Sequence, residues 1–193
     1  RQRQRTQLGD HGIGRLLVAS LHQSIGEVLP TRLEYYEHWL SPMGLREGRS
    51  GLAPLGAVLS FLRQEGEGPY GTVMSTAGRL SAEWHFADGG LGQRMVGWQP
   101  KWLRRRSALK RAVRLLQTAY QPLVVRTAVR RGRGTVTMTG SVFCTLRDTW
   151  PWPTCAYAAG AITRHLELHG FAPDVRIDTC RAHRAASAAS CVT

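Results

Sequence analysis

Apolar residues recur at helical spacing through the first two thirds of the chain, and the period changes to alternation only after that. Leu17, Leu21, Ile25 and Val28 draw one stripe along a helix over 15–29, and Pro30 ends it. Leu33, Tyr36 and Leu40 predict a short helix over 32–40, closed by Ser41-Pro42 and Gly44. "GLAPLGAVLSFLRQEG" reads as a loop and then a helix over 54–64, with Pro54 suited to its first turn. Leu55, Val58, Leu59 and Leu62 are its buried stripe, and Gly66 and Gly68 stop it. "YGTVMSTAGRLSAEWHF" predicts a helix over 71–86, in which Ser75, Ala77, Gly78 and Ala82 permit close packing. A helix over 101–120 turns Leu109, Val113 and Leu116 inward.

"LVVRTAVRRGRGTVTMTGSVFCT" then alternates and is rich in β-branched residues. It predicts a β-hairpin, with strands over 123–130 and 135–145 and a break at Arg131-Gly132-Arg133-Gly134. "PWP" is a rigid loop, because proline disfavours both helix and ladder. A helix follows over 154–169, with Gly170 as its C-terminal cap. "DVRIDTC" reads as a third strand, and Cys191-Val192-Thr193 as the start of a fourth. Helices followed by clustered strands predict an α+β fold, with helices on an antiparallel sheet. The expected organisation is a polar tail over 1–12 and a single domain over 13–193.

Charge changes this picture in one segment. The chain has 193 residues and a formal net charge of +13. No Asp or Glu lies between Gly89 and Arg147, while 13 Lys and Arg do; the remainder is neutral. Arg104, Arg105, Arg106, Lys110, Arg111 and Arg114, with Arg131 and Arg133 at the hairpin tip, are candidates to face an anionic partner. That partner is a nucleic acid, an anionic membrane surface or an acidic protein; a solvated basic face is the plain alternative. For nucleic acid the segment 94–133 would act through phosphates, with strong salt dependence. No apolar run is long enough to span a membrane. "RQRQRTQLGDHG" lacks the apolar core of a secretory signal, so a reducing cytoplasm is expected and disulfides are the lesser use of the cysteines.

The cysteines are Cys144, Cys155, Cys180 and Cys191. No pair has zinc-ribbon spacing: ten residues separate the first two, and ten the last two. They are metal ligands, buried thiols, or reactive or disulfide-bonded thiols. Cys155 opens a helix, where a thiolate is favoured, and is a better site candidate than Cys144, which the alternation puts in a strand as plain core. His85, in "AEWHF", is a candidate ligand for a metal or a haem iron, or else a cap or core histidine. His165 and His169 are spaced i, i+4, which can chelate a metal. Their plain reading is a solvated face at a helix C-terminus, where the dipole favours a cationic imidazole. Nucleophile-elbow, Walker and dinucleotide motifs are absent, and carboxylates are scattered, so an enzyme is not expected.

The run "GSVFCTLRDTWPWPTCAYAAGAITRHLELHGFAPDVRIDTCRAHRAASAASC" resembles the vinyl-reductase domain, which shares its fold with TRAPP vesicle-tethering subunits. The features that carry the resemblance are Cys155 at a helix start, the small residues Ala158, Ala159 and Gly160, a strand leading to Asp178-x-Cys180, and then Cys191. Asp178 stands one residue nearer the cysteine than the family pattern, and His183-Arg184 replaces a usual Gly. The resemblance implies binding of a small apolar ligand or tetrapyrrole rather than one reaction. It implies a homodimer or a subunit of a larger complex. It implies that Cys155, Cys180 and Cys191 converge as a metal or prosthetic-group site, to which the residues themselves add His85 as a candidate. Tyr70, Met74, Trp84 and Phe86 are the expected pocket lining, since binding sites are mostly apolar. The leading expectation is a noncatalytic binding or assembly subunit. The alternatives are a nucleic-acid-binding protein and an accessory factor in tetrapyrrole metabolism.

Overall fold

The computed structural model describes residues 12–37, 40, 52–89, 100–121, 123–130, 133–145, 150–180 and 191–192. Among these residues it is an α+β structure, mostly helical, with seven α-helices and a small antiparallel sheet. The helices are α1 (Arg15–Val28), α2 (Leu33–Glu37), α3 (Leu52–Gln64), α4 (Glu67–Asp88), α5 (Lys101–Ala119), α6 (Val142–Thr145) and α7 (Ala156–Leu168). A 3-10 turn over Pro30–Arg32 joins α1 to α2. The strands are β1 (Val124–Arg130), β2 (Arg133–Thr139) and β3 (Cys191–Val192), in the order β1-β2-β3. The tail over 1–11, the hairpin tip over 131–132 and the loop over 181–190 lie outside the described residues.

The core is organised around α4 and α7, which pack most extensively on each other. The Tyr70 hydroxyl reaches the Thr154 carbonyl at one end, and Phe86 meets His169 at the other, so the two helices run in the same direction. Glycine makes this crossing close. A Cβ on Gly78 would run into the Tyr157 carbonyl oxygen, and one on Gly160 into the Ser75 carbonyl oxygen. Both obstacles are backbone, which cannot swing aside. Buried hydroxyls then tie α1 to the pair. Ser24 donates to the Val73 carbonyl at 2.7 Å, and Ser81 to Ser20 at 2.8 Å. At the surface Arg164 bridges Glu83 and Glu167, and Arg79 also holds Glu167.

The structure corrects three sequence expectations. The second strand starts at Arg133 and stops at Thr139 rather than running over 135–145. Gly140, at φ 77°, takes the left-handed turn that ends it, and Val142–Thr145 coils into α6. Cys144 is therefore helical rather than in a strand. The stretch "DVRIDTC" is extended but forms no ladder as a third strand among the described residues. Its burial does alternate, with Val175 and Ile177 packed on the core. Alternation reports which side is buried; it does not report a pairing partner. The third correction concerns His165 and His169, which are buried at 0% and 8% exposure instead of forming a solvated face. No helix among the described residues is long and apolar enough to cross a membrane.

Candidate metal centre

Three cysteines from three separate segments meet at the N-terminal end of α7. Cys155 caps that helix, Cys144 lies on α6, and Cys180 follows the extended stretch. The Sγ atoms of Cys144 and Cys155 are 3.4 Å apart, and those of Cys155 and Cys180 are 3.6 Å apart. All three lie within 4.8 Å of one another. A disulfide between them would bring two sulfurs to about 2.05 Å, so these separations are not bonds. They do suit joint ligation. With zinc–sulfur bonds of about 2.3 Å, tetrahedral geometry sets the sulfurs about 3.8 Å apart. A buried cluster of three cysteines could thus hold a metal ion. Protonated, the same three groups make S–H···S contacts.

The surroundings supply donors. The Thr154 N–H donates to Cys180 Sγ at 3.4 Å, and the Thr154 hydroxyl lies 3.6 Å from the same sulfur. That hydroxyl donates to the Phe143 carbonyl at 2.9 Å, which ties α6 to the start of α7. Arg63 is the feature that sequence reasoning missed. It is 1% exposed and donates through one guanidinium nitrogen to the same Phe143 carbonyl at 2.6 Å. Its cation lies 5.7 Å from the Trp150 ring centroid and 6.0 Å from that of Tyr70. No carboxylate among the described residues pairs with it. A buried cation without an anion is costly. Thiolates at the neighbouring cluster, which like Arg63 act on Tyr70, would help to balance it. Tyr70 senses both charges. Burial raises its pKa, Arg63 opposes the rise, and Cys155 and Cys144 add to it. Arg63 was legible in principle, because it follows Leu59 by four residues and so falls on the apolar stripe of α3.

The predicted site residues divide. Cys155 and Cys180 come together, and Cys144, expected as plain core, joins them. β3 pairs Cys191 with Met138, but its side chain lies outside the described residues. His85 does not belong to this end of α7. Its ring centroid is 6.3 Å from that of His165, one helix length away. Of the expected pocket lining, Tyr70 and Met74 are buried in the core, while Trp84 and Phe86 are half-buried. A cleft of about 760 Å³ opens elsewhere, between Leu109, Arg133, Val136, Ile162, Leu166 and the extended stretch, and none of the four lines it. On α5, Arg105, Arg106, Lys110 and Arg114 are exposed, as is Arg133 on β2. Arg104 and Arg111 are half-buried, and Arg104 stacks over Phe171 at 5.1 Å. Arg131 lies outside the described residues.

Comparison with protein-family models, curated proteins and solved structures finds no match to the chain.

Proposed function

We propose that the protein is a noncatalytic binding or assembly subunit whose Cys144, Cys155 and Cys180 hold a soft metal ion or a prosthetic group through its metal. The observation that carries this reading is the convergence of three sulfurs beside a buried Arg63 that no carboxylate among the described residues balances. Thiolate sets favour Zn²⁺, Cu(I) and iron–sulfur chemistry. A metal held by three thiolates is anionic overall, so Arg63 complements it and stabilises the ionised sulfurs. Three protein ligands leave one coordination position for an exogenous group, as a sensor or carrier requires. Cys144, the partly exposed member, marks the side from which that group arrives. The vinyl-reductase resemblance supports the same reading and extends it to a tetrapyrrole or small apolar ligand.

The test is elemental analysis and an absorption spectrum of protein purified without chelator. One equivalent of metal, lost in Cys155→Ser and Cys180→Ser, is the expected result. A colourless, metal-free protein that takes up no Zn²⁺ or Co²⁺ under reducing conditions sinks the reading.

A second reading rests on α5. Arg106, Lys110 and Arg114 stand four residues apart on one exposed ridge, and none has an ion-pair partner among the described residues. The apolar face of the same helix is committed to the core through Leu109, Ala112, Leu115 and Leu116. It is therefore not available to insert into a membrane, which favours nucleic acid phosphates as the anionic partner. Retention on DNA that falls steeply with salt would support this. Retention unchanged in an Arg106→Ala, Lys110→Ala, Arg114→Ala variant would end it.

A further inference from the structure

Three histidines gather at the opposite end of α7. His165 and His169 come from α7 and His85 from α4. The ring centroids of His165 and His169 are 4.6 Å apart, and those of His85 and His165 are 6.3 Å apart. We propose that His165 and His169 form a second binding site, separate from the thiols, for a divalent transition metal ion of the nickel or copper type.

One ring is wholly unsatisfied. His165 is 0% exposed, and neither of its ring nitrogens has a hydrogen-bond partner among the described residues. Buried polar atoms are nearly always partnered, so two orphans on one ring call for a ligand. The neighbouring ring has a fixed tautomer. His169 Nδ1 lies 2.8 Å from the His165 carbonyl oxygen, which can only accept, so Nδ1 carries the proton. The lone pair is then on Nε2, which is buried and has no partner among the described residues. Metal-ligating histidines are commonly oriented in this way, with the second nitrogen donating to a backbone carbonyl.

The spacing of the rings agrees. A metal bound at about 2.1 Å from a ring nitrogen lies about 3.2 Å from the ring centroid. Two imidazoles on one ion then have centroids about 4.5 Å apart at a right angle and about 6.4 Å apart when opposed. The 4.6 Å between His165 and His169 falls within that range. His165 and His169 stand as the chelating pair, one helical turn apart.

The charges around the site select the ion. Burial first, and then His169, His85 and Arg111, hold His165 neutral, which is the form that ligates. Arg111 of α5 bears on all three imidazoles, Arg104 on His169, and Asp88 of α4 on His85. Two guanidiniums oppose a dication and one carboxylate favours it. The ions that gain most from imidazole therefore bind best, and these stand at the copper and nickel end of the divalent series.

The experiment is a calorimetric titration with Ni²⁺ of the full chain and of its Cys144→Ser, Cys155→Ser, Cys180→Ser variant. One equivalent is expected to bind the cysteine variant. His169→Asn keeps a donor for the His165 carbonyl and removes Nε2, and it should weaken Kd by about tenfold or more, as should His165→Leu. Failure of the cysteine variant to bind Ni²⁺, or equal affinity in the histidine variants, overturns the proposal. If the cysteine variant does not fold, Co²⁺ titration of the unaltered chain replaces it. Thiolate-to-cobalt charge-transfer bands report the cysteines. The histidine site must add a further equivalent with visible absorption but no such bands, and His169→Asn must abolish it. A chain that shows charge transfer alone refutes the histidine site and leaves the thiol centre standing. The reverse pattern does the opposite.

Discussion

The two ends of α7 bury opposite kinds of chemistry. At Cys155 the sulfurs lie among groups that donate or carry positive charge: the Thr154 N–H and Arg63 held on the Phe143 carbonyl. At His165, ten residues further on, a fully buried ring has no hydrogen-bond partner among the described residues. At 1.5 Å per residue the ends are about 15 Å apart. The first end is furnished to stabilise negative charge on sulfur. The second keeps its imidazoles neutral through burial. The difference shows that one helix can carry two pre-positioned ligand sets, provided its middle is rigid. In this chain the middle is the glycine crossing with α4.

The largest effect is therefore expected at that crossing. Gly160→Leu puts a side chain into the Ser75 backbone, and the strain has no side chain to displace. Loss of cooperative folding, or destabilisation above about 4 kcal/mol, is expected in a urea melt. Even Gly160→Ala, which raises helix propensity by about 1 kcal/mol, should destabilise. If Gly160→Ala melts like the parent, the helices do not depend on that approach, and nothing holds the two ends in register.

Arg63→Met comes next, because it acts on one end only. The metal-loaded chain should lose about 3 kcal/mol, as when one member of a buried ion pair is deleted. The metal-free chain, with its sulfurs protonated, should lose clearly less. Melts of loaded and chelator-treated protein compare the two. Equal losses would mean that Arg63 merely fastens α3 to α6 through the Phe143 carbonyl.

Most of this architecture is legible from periodicity. The helices over 15–28, 52–64 and 101–119 follow apolar stripes that the sequence displays; that over 67–88 is expected only from Gly71, and the structure starts it at Glu67, so Gly68 does not break the chain there. The small residues Ser75 and Gly78 announce a close contact, and the structure puts it against Gly160. The site is legible only in part. Alternation continues through "TGSVFCT" and so assigns Cys144 to a strand, and only the positive φ of Gly140 ends that strand. Grouping His85 with the cysteines fails because periodicity does not give the direction in which two distant helices pack. Parallel packing of α4 on α7 sends Tyr70 to the thiols and His85 to the imidazoles. The cationic reading of His165 and His169 fails because the helix dipole is a surface term, and burial outweighs it.

Acid should separate the ends further. Burial, with help from His169, His85 and Arg111, pushes the pKa of His165 down to about 3, and burial also lowers those of His85 and His169. These depressed values mean that the unfolded chain binds more protons than the folded one. Their contribution to stability is complete above an unfolded pKa of about 6.5, and it is lost as pH falls toward about 3. The measurement is urea stability from pH 7 to pH 4. The slope should be reduced in His165→Leu, which also removes two unsatisfied nitrogens and should leave the metal-free protein at pH 7 unchanged or stabilised by about 1 kcal/mol. An unchanged slope would place the acid sensitivity elsewhere.

The smallest effect is expected between the ends. Tyr157 is fully buried, and its hydroxyl donates to Ser81 at 2.9 Å, which donates to Ser20 at 2.8 Å, which donates to the Leu17 carbonyl at 3.0 Å. Burial raises the phenol pKa to about 12, with the hydrogen bonds to Ser81 and Ser20 opposing, so the group stays protonated through neutral and acidic pH. Tyr157→Phe deletes the first donor and leaves the next two in place. The cost should be about 1 kcal/mol and the same at neutral and mildly acidic pH. Neither metal content nor Ni²⁺ affinity should change, because the hydroxyl chain runs across α7 to α4 and α1 rather than along it. If Tyr157→Phe lowers metal binding at either end, the hydroxyl chain couples them, and thiols and imidazoles are then two parts of one site rather than two sites on one helix.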